Sequence, residues 1–173
     1  MVDASVAGAA GGKTATALVS KDCRAFLEAL RRETECCIVL PPGLRDEWDR
    51  HRSGFAATWL VSMTSRRRVI PDEVPPSRRM RREVEKAAAN QRDLKALRKD
   101  FHLVEAAVAT DRTVVSLDEV VRRLFKAAAQ SVAAIKKVVW VNPSIAAEQP
   151  VRWLRNGAKP ENARMLGHLE RGR

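Results

Sequence analysis

Residues 99–125, KDFHLVEAAVATDRTVVSLDEVVRRLF, decide the fold that this sequence predicts. Apolar residues recur at helical spacing over about 100–110, give way to the β-branched run TVVS at 113–116, and resume helical spacing over about 119–130. A second β-branched run, KVVWVN, follows at 137–142. Because helices and strands alternate at the spacing of right-handed βαβ units, the stretch predicts an α/β fold with a parallel sheet.

The chain on the amino-terminal side continues this alternation. CCIVL at 36–40 is typical of a buried parallel strand, and it ends at Pro41. The start, MVDASVA, is predicted to be the end of a strand followed by a turn rich in Gly and Ala. Predicted helices cover 19–35, a segment from about Leu44 that carries Glu47 and Trp48, and Phe55 to Ser65. The remaining predicted segments are an Arg- and Pro-rich connection at 66–82, a helix from about Ser77 to Asn90, a short helix from about Glu148, and a polar tail from Gly157.

The positive charge is concentrated in two stretches. The chain has 173 residues, which suits one domain, and a formal net charge of +11. Residues 65–99 hold twelve Lys and Arg against five Asp and Glu, and residues 150–173 hold six against two, so these stretches carry the whole surplus. This concentration favours a polyanionic partner. A solvated helical face or an acidic protein partner would also account for it.

Several classes of protein do not fit the composition. No segment is long and apolar enough to cross a bilayer, and the start lacks a basic leader, so we expect a cytoplasmic protein with no membrane partner. Cys23, Cys36 and Cys37 are odd in number and form no C-x-x-C pair, which argues against a zinc site or a disulfide framework. We expect buried, reduced thiols, and we expect the four tryptophans to lie in the core.

Four acidic residues lie at the edges of apolar segments, namely Asp3, Glu47, Asp100 and Asp118. Carboxylates at strand ends and at the adjacent helix starts of an α/β sheet converge beyond the carboxyl ends of the strands. Four clustered carboxylates need a cation, and hard oxygen ligands select Mg²⁺ or Mn²⁺. The strand that ends in Ser116 leads through Leu117 to Asp118, which places this carboxylate at the carboxyl end of the strand. The Ser116 hydroxyl would orient the carboxylate or a metal-bound water. Asp100 is predicted to open the preceding helix, where the dipole favours a carboxylate.

Each of these residues also has a structural interpretation. Asp100 and Asp118 would serve as helix caps, which are frequent for Asp. Glu47 would be a solvated helix residue, and Asp3 would be a turn former. Asp46 and Asp49 flank Glu47 and would replace it if the helix is rotated. A further carboxylate, Glu105, is expected to face solvent or to lie beside the site.

The four acidic residues, in this order, resemble the motifs of PIN-domain nucleases. The stretch 99–125 resembles the third and fourth acidic motifs of that family. VDASVA resembles its opening Asp at the end of the first strand, and LPPGLRDEW resembles the Glu one turn into the helix after the second strand. The resemblance covers roughly residues 1–142.

This resemblance implies a fold, an activity and a site. The implied fold is a three-layer α/β/α sandwich with a short parallel sheet of about four strands, formed by a PIN-like domain at 1–142 and followed by a C-terminal helix and polar tail at 143–173. The implied activity is hydrolysis of RNA phosphodiester bonds by a divalent-metal-dependent endoribonuclease of the toxin type. Asp3, Glu47, Asp100 and Asp118 become its catalytic metal ligands, with Mg²⁺ or Mn²⁺ as the cofactor.

The basic insertion at 66–82 would act as a substrate clamp or a docking arm. The candidate phosphate contacts in it are Arg66, Arg67, Arg68, Arg78, Arg79, Arg81 and Arg82. A toxin would have an acidic or amphipathic antitoxin segment as its partner, and family habit predicts a homodimer. Two alternatives stay open: a non-catalytic PIN-like module that binds RNA or protein, and a structure-specific DNA nuclease.

Overall fold

The computed structural model describes residues 1–12 and 14–169. Over these residues the chain is a mixture of α-helices and short β-strands. The helices are α1 (Ala4–Ala9), α2 (Leu18–Arg32), α3 (Pro42–His51), α4 (Gly54–Ser65), α5 (Arg78–Lys86), α6 (Gln91–Ala109), α7 (Glu119–Ala129) and α8 (Pro150–Arg155). The strands are β1 (Ile38–Val39), β2 (Val69–Ile70), β3 (Thr113–Val115) and β4 (Val139–Val141).

The strands form two parallel pairs. β1 pairs with β2, with Ile38 opposite Val69 and Val39 opposite Ile70. β3 pairs with β4, and Val2 forms an isolated parallel bridge to Val115. The predicted combination of helices with parallel strands is therefore confirmed. Among the described residues the strands do not form one sheet of about four, so the three-layer sandwich is not confirmed.

The chain divides into two compact units. Unit 1 comprises Met1–Glu73, Val115–Leu117 and Val141–Lys159. Unit 2 comprises Val74–Val114, Asp118–Trp140 and the chain from Pro160.

Two tryptophans organise the core of unit 1. The Trp48 indole donates to the Val2 carbonyl at 2.8 Å, and the Trp59 indole donates to the Leu27 carbonyl at 2.6 Å. The two rings lie 5.9 Å apart between centroids. A buried indole N–H needs an acceptor, so these bonds fix α3 against the first residues of the chain and α4 against α2. Both tryptophans are buried, as are Trp140 and Trp153, which confirms that prediction.

The first helix lies where the sequence predicted a turn. Residues 4–9, ASVAGA, form α1, in which three of the six residues are Ala, the strongest helix former, and Ala4, Val6 and Ala7 are buried. Gly8 marks a close approach of α1 to α3: a Cβ added there would lie 2.9 Å from the backbone oxygen of His51 at the end of α3. The backbone N–H of Ser53 also donates to the Ala7 carbonyl at 3.1 Å.

Helix α6 in unit 2 begins nine residues before Asp100, so the prediction that Asp100 opens the helix is wrong. Asn90 caps α6 by accepting from the Asp93 N–H at 2.9 Å. Residues 91–99 are rich in Leu, Lys and Arg, which favour a helix without forming a strong apolar stripe. The apolar run from Phe101 onward therefore marks the buried half of a longer helix.

The core of unit 2 is closed by residues near the carboxyl terminus. Phe125 of α7 packs on Trp140, with 6.0 Å between ring centroids. Leu166 is fully buried and its N–H donates to the Val138 carbonyl at 2.9 Å, while Met165 forms an antiparallel bridge to Val139. The predicted polar tail is thus wrong for these residues, which contribute to the core.

The described helices were compared with the length and hydropathy that a bilayer span requires. None of them over residues 1–12 and 14–169 is both long and apolar enough to cross a membrane.

Candidate carboxylate site and basic surfaces

Asp3 lies at the carboxyl end of a strand-like segment, as predicted. The Val115 N–H donates to the Met1 carbonyl and the Asp3 N–H donates to the Val115 carbonyl, both at 2.9 Å. This alternation is the hydrogen-bond pattern of parallel strands, so the first three residues pair alongside β3. Asp3 then becomes the N-cap residue of α1.

Two hydroxyl groups fix the Asp3 carboxylate in unit 1. Ser116 Oγ donates to Asp3 Oδ2 at 2.6 Å, and Ser5 Oγ donates to the same oxygen at 2.5 Å. Ser116 is fully buried, whereas Asp3 is half-buried. Ser5 Oγ in turn accepts from the Leu117 N–H at 3.3 Å. The carboxylate is therefore held in one orientation by groups that the fold itself positions.

A third polar residue, Asn142, directly follows β4 in the same unit, and it was not among the site residues predicted from the sequence. Its amide donates to the Leu117 carbonyl at 3.4 Å, and its Oδ1 accepts from the Ser144 N–H at 3.0 Å. The Ser116 N–H donates to the Val141 carbonyl, so neighbouring parallel segments end in Asp3, Ser116 and Asn142. The sequence signal for Asn142 was its position as the polar residue directly after the apolar run VVWV.

Glu47 is the most shielded of the three acidic residues on α3. It is half-buried, and the Trp48 bond to Val2 fixes the helix that carries it. Asp46 is exposed. Asp49 is exposed and forms surface ion pairs with Arg45, at 3.0 Å, and with Arg52. Among these acids, the fold therefore favours Glu47 over both alternatives.

Asp118 and Asp100 belong to unit 2. Asp118 directly precedes α7 and caps it, with Oδ1 accepting from the Val121 N–H at 2.8 Å. Asp100 lies in the middle of α6, with its side chain 14% exposed and one oxygen 3.9 Å from the Lys99 ammonium. Over residues 1–12 and 14–169, no group of three or more His, Cys, Asp or Glu side chains is placed to hold a metal ion.

Arg68 does not belong among the phosphate contacts. It is buried, and its guanidinium donates to three backbone carbonyls, those of Leu30 (2.7 Å), Arg31 (3.0 Å) and Cys36 (2.6 Å). The first two are among the last carbonyls of α2, which have no partner within the helix and favour a cation. Arg68 therefore caps α2 and ties it to β1.

The other arginines of the predicted set are exposed. Arg66 donates to the Arg31 carbonyl at 3.2 Å, and Arg67 occupies the left-handed region with φ of 58°. On α5, Arg79 pairs with Glu83 at 3.0 Å, and the Arg81 guanidinium lies 4.9 Å from the centre of the Phe101 ring.

Glu105 is buried, contrary to the expectation that it faces solvent. One oxygen accepts from the Ser77 N–H at 2.5 Å, and the other lies 4.0 Å from Arg81. The carboxylate thus fixes the start of α5 to α6. Its position inside the apolar run HLVEAAV was the sequence signal for burial.

The cysteines are reduced, but only Cys23 is buried; Cys36 is half-buried and Cys37 is exposed. Burial, with a smaller contribution from Asp22, raises the pKa of the Cys23 thiol to about 12. Since the thiolate is the reactive form, Cys23 has no role as a nucleophile at neutral pH.

The chain was compared with known proteins. It matches no protein-family model, no curated protein and no solved structure at a significant level.

Proposed function

We propose that this chain is a divalent-metal-dependent endoribonuclease with a PIN-like fold. The observation that carries the proposal is the Asp3 carboxylate, which buried Ser116 and half-buried Ser5 hold at the carboxyl end of a parallel backbone segment. Ligands of open α/β sheets bind beyond this end of the strands. Orienting hydroxyl groups around a carboxylate are typical of metal and catalytic sites, where ligand geometry must be fixed in advance.

Within unit 1 the proposed ligands are Asp3 and Glu47, which are half-buried and whose hard oxygens suit Mg²⁺ or Mn²⁺. Asp100 and Asp118, which belong to unit 2, are proposed as ligands on the resemblance to PIN-domain nucleases alone. When bound, such an ion would lower the pKa of a coordinated water and neutralise charge on the scissile phosphate. The chain's own groups orient the ligands: Ser5 and Ser116 hold Asp3, and the Trp48 bond fixes the helix that carries Glu47.

The toxin assignment adds a cytoplasmic location, an antitoxin partner and a homodimer to this proposal. An acidic or amphipathic antitoxin segment would be attracted by the surplus of Lys and Arg.

A second candidate function is a non-catalytic module with the same scaffold, which binds RNA or a protein. The hydrogen bond of Asp118 favours this second candidate, because one oxygen of the carboxylate already caps α7. Asp100 also has a local ionic neighbour in Lys99. On this alternative both residues stabilise helices and neither binds a metal.

The test is cleavage of a mixed RNA substrate with Mn²⁺ or Mg²⁺, with an EDTA control and a single-stranded DNA substrate in parallel. Asp3→Asn should abolish cleavage, and Ser116→Ala should reduce it by about tenfold, the lower end of the range for groups that orient a metal ligand. Asp46→Asn is the matched control, because it makes the same change on an exposed residue of α3. Metal-dependent cleavage that survives in Asp3→Asn would contradict the proposal, and an inert wild-type protein that binds RNA would favour the second candidate.

A further inference from the structure

Three cations share one face of helix α5. Arg78, Arg82 and Lys86 are all exposed and follow one another at intervals of four residues. Residues at this spacing are neighbours on a helix surface, and the rise of 1.5 Å per residue separates them by about 6 Å along the axis. We call these three residues the α5 cation stripe.

The acidic residues of α5 are neutralised by other arginines. Glu83 pairs with Arg79 at 3.0 Å. Glu85 accepts two hydrogen bonds from Arg98, at 3.0 and 2.9 Å, and these lower the pKa of its carboxyl. Over residues 1–12 and 14–169, no carboxylate lies within 4.0 Å of the charged groups of the α5 cation stripe. The stripe therefore presents its full positive charge to solvent.

The helix that carries the stripe is firmly mounted. Met80 and Val84 are buried on its opposite face, and Ser77 Oγ caps it by accepting from the Met80 N–H at 3.4 Å. Glu105 holds the Ser77 N–H, and Arg81 lies over the Phe101 ring. A rigid mounting matters because a ligand then meets cations at fixed spacing and loses less conformational freedom on binding.

The composition of the exposed face indicates the class of partner. Protein interfaces centre on aromatic and aliphatic side chains, and no large hydrophobic residue of α5 is exposed. A single row of cations instead suits a single phosphate backbone. We propose that the α5 cation stripe binds the phosphate backbone of single-stranded RNA, the identity of the nucleic acid being taken from the proposed function.

The proposal is tested by binding of a fluorescent, mixed-sequence single-stranded RNA, followed by anisotropy in EDTA between 50 and 200 mM salt. Each lost phosphate contact should reduce the slope of log affinity against log salt by about 0.7 for a single strand. Arg78→Gln/Arg82→Gln should therefore reduce the slope by about 1.4 and weaken binding at low salt by about tenfold. The matched control is Lys136→Gln/Lys137→Gln, which removes the same charge from two exposed lysines of unit 2. Arg79→Gln removes a charge from the same helix that is already paired with Glu83, so it should reduce the slope less than Arg78→Gln or Arg82→Gln does alone.

The outcomes separate this inference from the proposed function. The inference is supported if the stripe variant binds RNA more weakly and with a smaller salt slope, while the lysine control does not and thermal unfolding is unchanged. This holds even if the wild-type protein cleaves nothing. Equal salt slopes for the wild-type, stripe and control proteins would overturn it even if the wild-type protein cleaves RNA. It is also overturned if the wild-type protein fails to bind RNA, or if polyglutamate binds through the stripe and RNA does not.

Discussion

Residues 66–68 and helix α5 are both rich in arginine, but the fold uses their guanidinium groups differently. Arg68 is buried and donates to the carbonyls of Leu30, Arg31 and Cys36. Arg82, fourteen residues later, is exposed and has no carboxylate partner among the described residues. The difference shows that a positive run in a sequence contains two kinds of residue, those that complete the fold and those that are available to a ligand.

The strongest way to test this comparison is to remove each arginine and measure the free energy of unfolding in urea. Arg68→Ala should cost about 3 kcal/mol, because charged hydrogen bonds contribute about 1.5–3 kcal/mol each and buried carbonyls lose their donor. Arg82→Ala should change the free energy of unfolding by less than about 0.5 kcal/mol, as is usual for exposed positions. Similar values for the two variants would show that the comparison is wrong.

Two glutamates of unit 2, the buried Glu105 and the surface residue Glu83, allow the same comparison with a smaller expected effect. Glu105→Ala should destabilise the chain by about 2 kcal/mol, because the part-buried Ser77 N–H loses the acceptor that the buried carboxylate supplies. Glu105→Gln keeps an acceptor and should recover about half of that loss. Glu83→Ala removes only a surface ion pair with Arg79 and is expected to cost less than about 0.5 kcal/mol. A destabilisation by Glu83→Ala that equals that of Glu105→Ala would contradict the role assigned to burial.

The smallest effect concerns an arginine that is exposed yet paired. Arg155 of α8 donates to Glu33, the residue that follows α2, and this hydrogen bond holds the pKa of the Glu33 carboxyl below its usual range. A lowered pKa stabilises the fold above the usual carboxyl range, and that stability is lost as pH falls through the lowered value. Glu33→Gln should therefore lower the melting temperature slightly at pH 7 and leave it unchanged near pH 2. If Glu33→Gln lowered the melting temperature equally at both pH values, the effect would not come from this ion pair.

The elements that could be predicted from the sequence are those whose apolar residues recur at regular helical spacing. Helices α2, α4 and α7 lie close to their predicted bounds, because apolar residues such as Phe26, Trp59 and Phe125 recur on one face. Strand β2 was missed because Val69 and Ile70 stand alone between arginines and prolines, and only pairing with β1 identifies them. The start of α6 was missed because its first half is exposed and depends on local helix propensity.

The candidate site was predictable only in part. Asp118 comes shortly after the β-branched run TVVS, and Asp3 follows Val2 and opens the apolar stretch VDASVA, so their positions near strand ends could be predicted from the sequence. The hydrogen bond from Ser116 to Asp3, 113 residues away, could not be predicted from the sequence. Hydrogen bonds between distant segments depend on the register of the strands. The burial of Arg68 was equally hidden, since neighbouring arginines in a run have the same composition and differ only in what surrounds them.

The close approach at Gly8 has an evolutionary consequence. Because a Cβ at this position would meet the backbone oxygen of His51, and a backbone atom cannot turn aside as a side chain can, any other residue requires α1 and α3 to separate. Gly43, in α3 itself, has open space around its would-be Cβ and carries no such restriction. As the lineage of this chain diverges, position 8 should change only together with residues that widen the gap between the two helices, whereas position 43 is free to drift alone.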